Sequence, residues 1–509
     1  MGVVLNYLQL IGSLGPEILV VLTALAVLAV DLVAMRGEPA RSRLLVCGGF
    51  GLVGLMASAA WLGMISYPTL LHAGVEARSA GMFLADPLTQ WVKISLILLS
   101  AGSIVLAFES KFTQHAGEYL SIMLMATAGM MFMVSSNDLL QFFISLELTS
   151  LSLYILTGFH QGNRASSEAA LKYLLFGGMS AAFTLFGFSY IYGITGETNL
   201  FQIASHFASG MEVSSSMLWI ALAFTAVGFA FKIAAAPFHW WAPDTYEGAP
   251  IPSAAMIASG SKLASFFIFG RLLLVSLGHS HGAAGYHAFE QGWIPALCIL
   301  AAASMVAGNL AALVQTQFKR LLAYSAIAHG GYALLGIIAN SEQGISSVIF
   351  YMASYGFTIL GAFAVCSVVE RQTGSSRLSD FAGLSRREPL VALCMMVFML
   401  SLAGIPPLAG FFGKFYLFSS VAAGAPNLGL IWLMILAIAT SAVSLYYYLQ
   451  VMKQIYVREP VSTSAAEPLT VPITTRLLIY LLAAVVILLG LLPGILLNPI
   501  SESVHSFGF

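Results

Sequence analysis

The sequence predicts an all-α polytopic membrane protein with about 14 transmembrane helices and two inverted five-helix repeats, helices 4–8 and 9–13, each containing one broken helix. Composition is the first observation behind this. Hydrophobic residues make up 59% of the 509 residues and charged residues 8%, with a mean hydropathy of +0.89. Soluble domains carry about 25% charged residues, so this chain belongs in a bilayer. The second observation is length: apolar stretches of about 20 residues, enough to cross a hydrocarbon core, recur from end to end. The third is that prolines and lysines interrupt two of those stretches in a similar way.

The stretches fall at 18–35, 44–66, 90–108, 119–136, 139–159, 170–193, 217–241, 253–276, 293–314, 321–340, 346–369, 390–420, 427–452 and 474–496. They divide the chain into N-terminal helices (1–115), a first five-helix unit (116–278), a second (290–458) and a last helix (470–509). Cytoplasmic loops collect Lys and Arg. With the N-terminus outside, Arg36, Arg41, Arg43, Lys111, Arg164, Lys319, Arg320, Arg371, Arg377, Arg386, Arg387, Lys453, Arg458 and Arg476 fall on the inner side, and Arg78 and Arg271 on the outer. The asymmetry places both termini on the outer side of the membrane. It leaves Lys93, Lys172, Lys232, Lys262 and Lys414 inside apolar segments.

Other signals exclude function classes. Cys47, Cys298, Cys366 and Cys394 show no CxxC or CxxH spacing, which argues against a zinc or iron–sulfur site. The first residues lack a basic region followed by a small-residue cleavage site, so no removable signal peptide is expected. No Walker motif occurs, and no GxGxxG has an acidic residue downstream. A net charge of −1 without a long basic run argues against nucleic acid.

The segment "FKIAAAPFHWWAPDTYEGAP" (231–250) sets Lys232 in an apolar run that Pro237 then breaks. A lysine in a span is costly unless solvated or paired, and a helix-interior proline removes a hydrogen bond. Glu147 lies near the middle of its span, where a carboxylate faces the protein interior or a wet cavity; a structural carboxylate held by hydroxyls is the alternative. Lys172 follows Glu168 by four residues, which also fits a helix-surface ion pair. Lys262 lies about eleven residues into its span, too deep to snorkel easily, whereas Lys93, beside Trp91 near the outer edge, is expected to snorkel. His329 taken alone reads as a core histidine. His239 and Asp244 are expected to hold the half-helix after the break, with proton uptake as the alternative. Trp240 and Trp241 suit an interface belt.

Lys414 follows "SLAGIPPLAGFFGKF", where Pro406 and Pro407 interrupt a second apolar segment. Paired broken helices mark ion sites in transporters, because unwound backbone exposes polar groups. Glu147 and Lys232 are 85 residues apart, as are His329 and Lys414. Each pair spans two helices, and an odd, five-helix unit re-enters the membrane from the opposite side. At the offset of 182 residues that carries Glu147 to His329 and Lys232 to Lys414, Lys172 and Lys262 meet Ser354 and Ser444.

"ISLELTSLSLYILTGF", "SSEAALKYLLFG", "FKIAAAPFHWWAPDTYEGAP", "NLAALVQTQFKRLLAYSAIAHGGY" and "MLSLAGIPPLAGFFGKFY" resemble the antiporter-like subunits of proton-translocating NADH:quinone oxidoreductase, respiratory complex I. The likeness covers most of the chain and is weaker before residue 80 and after 460. Among these subunits it is greatest to subunit N: the length leaves no room for the lateral helix of subunit L, and subunit M typically has glutamate where Lys414 stands. The resemblance implies a non-redox, proton-translocating membrane-arm subunit coupled to quinone reduction elsewhere in the complex. It implies that Glu147 sits beside Lys172, that Lys232 belongs to the first broken helix, that Lys262 and His329 form a central relay, and that Lys414 faces the exit. Flavin, iron–sulfur clusters and quinone would be on other subunits, leaving this chain without a cofactor. Subunit M and a small subunit-K-like neighbour would be partners in the bilayer. The alternatives are subunit M itself, a related Mrp-type cation/proton antiporter subunit, and a membrane scaffold whose charges serve packing.

Overall fold

A computed structural model describes residues 7–64, 81–209, 215–285, 288–424, 429–459 and 469–506. Arg78 and both chain ends, whose sides were assigned above, lie outside the described residues. Among the described residues the regular elements are helices apart from a small antiparallel hairpin, β1 (Ala283–Gly285) and β2 (Ala288–Glu290).

The chain begins with α1 (Tyr7–Val33), α2 (Ala40–Met64), α3 (Pro87–Ala107), α4 (Ala116–Val134), α5 (Leu139–Thr157), α6 (Arg164–Thr195) and the short α7 (Leu200–Ala208). It continues with α8 (Ser215–Lys232), α9 (Trp241–Gly248), α10 (Ile251–Ala258), α11 (Gly260–Arg271), α12 (Trp293–Leu313), α13 (Phe318–Ile338) and α14 (Glu342–Thr373). The last helices are α15 (Leu384–Arg387), α16 (Pro389–Ala403), α17 (Ala409–Gly424), α18 (Ile431–Tyr456), α19 (Ile473–Leu491) and α20 (Gly494–Ser503). Among the described residues, 12 helical segments are long and apolar enough to cross a membrane, one of them Ile251–Ser276, which joins α10 and α11. Two shorter apolar helices, Ser216–Lys232 and Pro389–Ala403, each end at a break.

Capping residues set the helix ends. Asp86 accepts from Thr89 N ahead of Pro87, Asp138 accepts from the N–H groups of Leu140 and Gln141, and Asn163 accepts from Ala165 N. Each satisfies donors left open by a first helical turn. The two 32-residue helices α6 and α14 both stop at a left-handed glycine, Gly196 (φ 70°) and Gly374 (φ 76°), a conformation that costs glycine little.

The centre is made by α10–α11, α13 and α14. Ile251–Ser276 and Glu342–Thr373 are buried along their apolar length. Small residues let backbones touch there: a Cβ on Gly308 of α12 would come within 2.6 Å of Ala328 N on α13. Outer helices such as α6 leave one apolar face bare, including Leu171, Leu175 and Met179.

Three expectations are overturned here. Trp241 does not join an interface belt: it is buried and stacks on Tyr173. Lys93 does not snorkel: it is buried, with Nζ 2.5 Å from Glu17 Oε1 on α1. Arg271 is not an outer-loop charge. It is 1% exposed and donates to Asp86 Oδ2 (2.7 Å) and to the Val134 carbonyl (3.1 Å). In both cases a distant acid pairs the cation, so the side chain need not reach water.

Candidate functional site

At the first break α8 ends on Lys232, and Ala234 takes a positive φ of 58°. The carbonyls released here find partners: Ala230 O accepts from Ala235 N (2.7 Å) and Phe231 O accepts from the Trp241 indole (3.0 Å). Ala236 N is tied to Ser304 Oγ at 2.8 Å. Lys232 Nζ therefore turns to α5, where it donates to Ser150 Oγ at 2.7 Å. Glu147, one turn before Ser150 and half-buried, lines the same small cavity as Lys232 and is within its electrostatic reach.

At the second break, Gly404 (φ 88°) closes α16 by donating to Leu400 O and Ser401 O. The carbonyls of Leu402 and Ala403 stay free of the backbone and both accept from Lys414 Nζ at 3.0 Å. Ser441 Oγ is a third acceptor at 2.9 Å, and the ammonium lies 5.2 Å from the Tyr332 ring centroid. A cation on the last carbonyls of a helix meets the negative end of its dipole.

Between the breaks stand Lys262 and His329, both buried. Lys262 Nζ donates to the Ala326 carbonyl of α13 at 2.5 Å, one turn before His329. His329 Nδ1 lies 2.6 Å from the Tyr351 hydroxyl and Nε2 lies 3.0 Å from that of Tyr448. Ser325 Oγ extends this group to 2.5 Å from Tyr448. His329 is within electrostatic reach of both Lys262 and Lys414.

Lys172 is placed differently from the expectation. Its ammonium is 2.6 Å from Glu168 and 2.7 Å from Asp244, without an ion pair to Glu147. Asp244 in turn accepts from Arg320 Nη1 at 2.6 Å, and the same nitrogen donates to Glu247 at 2.9 Å. Asp244 thus clamps α9 between α6 and α13. Lys172 is partly exposed near the end of α6, so a local acid and the one on α9 outcompete a carboxylate deeper in α5. His239 is buried and stacks on Trp240, whose indole is 67% exposed.

The sequence reading missed Tyr351, Tyr448, Ser150, Ser441 and the Asp244–Arg320 contact. "FYMASYGF" and "SLYYYLQ" offered a signal in clustered hydroxyls, yet tyrosine on an apolar helix ordinarily reads as core.

The transmembrane family described as NADH:quinone oxidoreductase/Mrp antiporter matches residues 136–444. The chain belongs to this family. The matched range holds both breaks and the centre between them, apart from Tyr448. Within the NADH:quinone oxidoreductase/Mrp antiporter family, the chain is 44% identical over 503 residues to NADH-quinone oxidoreductase subunit N 2 of Acidobacterium capsulatum, covering 97% of this chain and 99% of that one. It is similar to a chain of respiratory complex I from Thermus thermophilus with bound aureothin, at 32% identity and a TM-score of 0.74 over 95% of this chain and 98% of that one. It shares its fold with a chain of the Mrp complex from Dietzia sp. DQ12-45-1b, at 21% identity and a TM-score of 0.79 over 98% and 97%. Among the described residues no group of three or more His, Cys, Asp or Glu could hold a metal, and the four cysteines are free and buried.

Proposed function

We propose that this chain is the N-type membrane-arm subunit of a proton-translocating NADH:quinone oxidoreductase, and that it moves protons along Glu147, Lys232, Lys262, His329 and Lys414. The observation that carries this reading is the row itself. Titratable groups at two helix breaks are joined through the buried centre by Lys262 and by a histidine held between two tyrosine hydroxyls. Ionisable groups so deep in a membrane protein are expensive to keep and mark ion pathways.

An ammonium and a carboxylate in a low-dielectric span each favour the charged form of the other. Drawing Glu147 away from Lys232 therefore releases a proton from the lysine, and restoring it takes one up. A redox event elsewhere in the complex drives that exchange, while this chain binds neither flavin nor cluster. Lys172 is reassigned: its bonds to Glu168 and Asp244 support a role in holding α9, which positions the first break. Flanking subunits, M-like on one side and small and K-like on the other, complete the arm in a bacterial inner membrane, with both termini outside.

The breaks support an inverted-repeat reading with units at 116–278 and 290–458, as do the 32-residue helices α6 and α14 that precede them. A total of 14 spans follows when each broken helix counts once. An Mrp-type antiporter subunit would share this fold. The identity to a subunit N over nearly the whole of both chains favours the oxidoreductase.

Glu147→Ala should lower proton pumping and coupled quinone reduction at least about tenfold, a floor below the roughly 10²–10⁴-fold that a positioned proton-transfer group supplies, while Glu147→Asp keeps part of both. Assembly should persist, because Glu147 is half-buried and carries no ion pair within 4 Å. Deamino-NADH oxidation and dye quenching in membrane vesicles, normalised to assembled complex on a native gel, measure this. Wild-type pumping by an assembled Glu147→Ala complex would sink the assignment.

A further inference from the structure

On the basic face of the molecule, a cavity of about 370 Å³ opens among the ends of α3, α13, α14 and α19 and the α9–α10 junction. Its walls carry Glu109, His160, Glu247, Lys319 and Arg371, with Lys319 Nζ 3.0 Å from Glu370. None of these groups enters the relay described above. Charged walls of both signs around a cavity of this size suit water and protons better than one anionic or cationic ligand.

Glu247 of the wall is preceded by Tyr246, which points into the protein and is fully buried. Among the described residues the Tyr246 hydroxyl has no hydrogen-bond partner, and neither has the buried hydroxyl of Tyr355 on α14. The Tyr246 ring packs against Phe363 with centroids 6.1 Å apart. Phe363 lies two turns nearer the basic face than Tyr355, so Tyr246 stands between the cavity and Tyr355. The Tyr355 ring centroid is 5.0 Å from that of His329. Tyr355 is also within electrostatic reach of Tyr246, Tyr351 and Tyr448, the last two being the hydroxyls on the imidazole nitrogens. Phenylalanine would fill either site without burying an unpaired hydroxyl. Two such hydroxyls in line between a charged cavity and a buried histidine call for a use.

We propose that this cavity is a proton inlet for His329, with Tyr246 and Tyr355 as hydroxyl carriers from its floor to Tyr351 and Tyr448. Water bridges the gaps, since no protein group among the described residues is within hydrogen-bond reach of either hydroxyl: each tyrosine takes a proton from a water on the cavity side and gives its own to a water on the His329 side. Only O–H and N–H bonds form and break, nothing is oxidised, and one proton crosses. The second half of the molecule is thereby filled from the face that carries the basic loops, without passing Lys232. This rests on the proton-translocating reading above.

The test uses the assembled complex in membrane vesicles. Tyr246→Phe combined with Tyr355→Phe should lower pumping at least about tenfold, with normal assembly and an increased solvent deuterium isotope effect on the residual turnover, which a packing defect would not produce. In parallel, Ser367→Cys in the cavity wall is treated with a charged, membrane-impermeant thiol reagent from the basic face. Modification should block pumping, while the unmodified Ser367→Cys complex and the treated unsubstituted complex pump normally. Wild-type pumping by the double phenylalanine variant, or by a fully modified Ser367→Cys complex, overturns the inlet. Glu147→Ala, run alongside, separates the two readings: if it stays defective the relay stands without this inlet, and if it too pumps normally the relay itself fails.

Discussion

At the first break the Trp241 indole and the Ala235 N–H occupy the carbonyls of Phe231 and Ala230, whereas at the second the carbonyls of Leu402 and Ala403 are left to Lys414. The lysines also stand on opposite legs. Lys232 is the last residue of the leg before its break, while Lys414 lies in the leg after its break and reaches back. Both ammonium groups nevertheless lie near the C-terminal end of the preceding leg, where the helix dipole favours a cation. Where backbone and indole have already met the free carbonyls, the lysine is left to a hydroxyl and a half-buried carboxylate. Where they have not, it is held by three oxygens. On the proton-translocating reading proposed above, the first site responds to a change at Glu147 and the second receives.

The largest expected effect comes from removing the held cation. Lys414→Ala should reduce pumping by more than about tenfold, since it removes the terminal carrier and leaves two buried carbonyls unpaired. Lys414→Arg should do no better. Arginine stays protonated at every accessible pH, and a Cβ built on Gly404 would stand 3.0 Å from Lys414 Cδ, so the passage is filled by the lysine stem already. Pumping rates of both variants, normalised to assembled complex, decide it. If arginine restores pumping, Lys414 is a fixed cap on α16 and His329 loses its acceptor.

An intermediate effect is expected from making the first break resemble the second. Trp241→Phe removes one of the two donors on Phe231 O, the other being Ala234 N at 2.9 Å, but keeps an aromatic ring for the stack on Tyr173, whose centroid is 4.3 Å away. A lone pair on that carbonyl is then open close to Lys232, which should turn to it, away from Ser150 and Glu147. A hydrogen bond from a charged group is worth about 1.5–3 kcal/mol. The bond to Ser150 is given up in exchange, so only part of that value biases the lysine; pumping should fall about fivefold, and an added Glu147→Ala should cost less than it does alone. Full additivity of the two substitutions would show that the indole bond does not govern the partner of Lys232.

The sequence showed where the breaks and the deep charges lie, because proline and lysine are anomalies in an apolar run and stand out without any partner being known. It did not show which oxygens each lysine meets, since that depends on how the unwound residues turn. The pairs Glu17–Lys93 and Asp86–Arg271 were illegible for another reason. Their members are 76 and 185 residues apart, and each cation viewed alone fits an interface position equally well. Lys172 shows the reverse error: family likeness put it beside Glu147, while the nearer acids Glu168 and Asp244 hold it. Tyr351 and Tyr448 were hidden among many apolar aromatics, and only contact with His329 sets them apart.

The smallest effect should come from Ser150→Ala. The Ser150 hydroxyl donates to Leu146 O at 2.6 Å, so its hydrogen is committed to its own helix. Its lone pair accepts from Lys232 at 2.7 Å, which leaves Ser150 an acceptor that favours the charged lysine and carries no proton itself. Without it, Lys232 should draw closer to Glu147, and the tighter pair should exchange protons more slowly. Because the carboxylate takes up part of the lost interaction, pumping should fall only about two- to threefold, less than the full value of a charged hydrogen bond. Ser150→Thr should restore most of it, since threonine offers the same oxygen with the same back-bond. Vesicle pumping at matched assembly measures both variants. A Ser150→Ala loss as deep as that of Glu147→Ala would mean that Ser150 passes the proton, and the first break would then be a wire through hydroxyls instead of a pair whose opening and closing is the step.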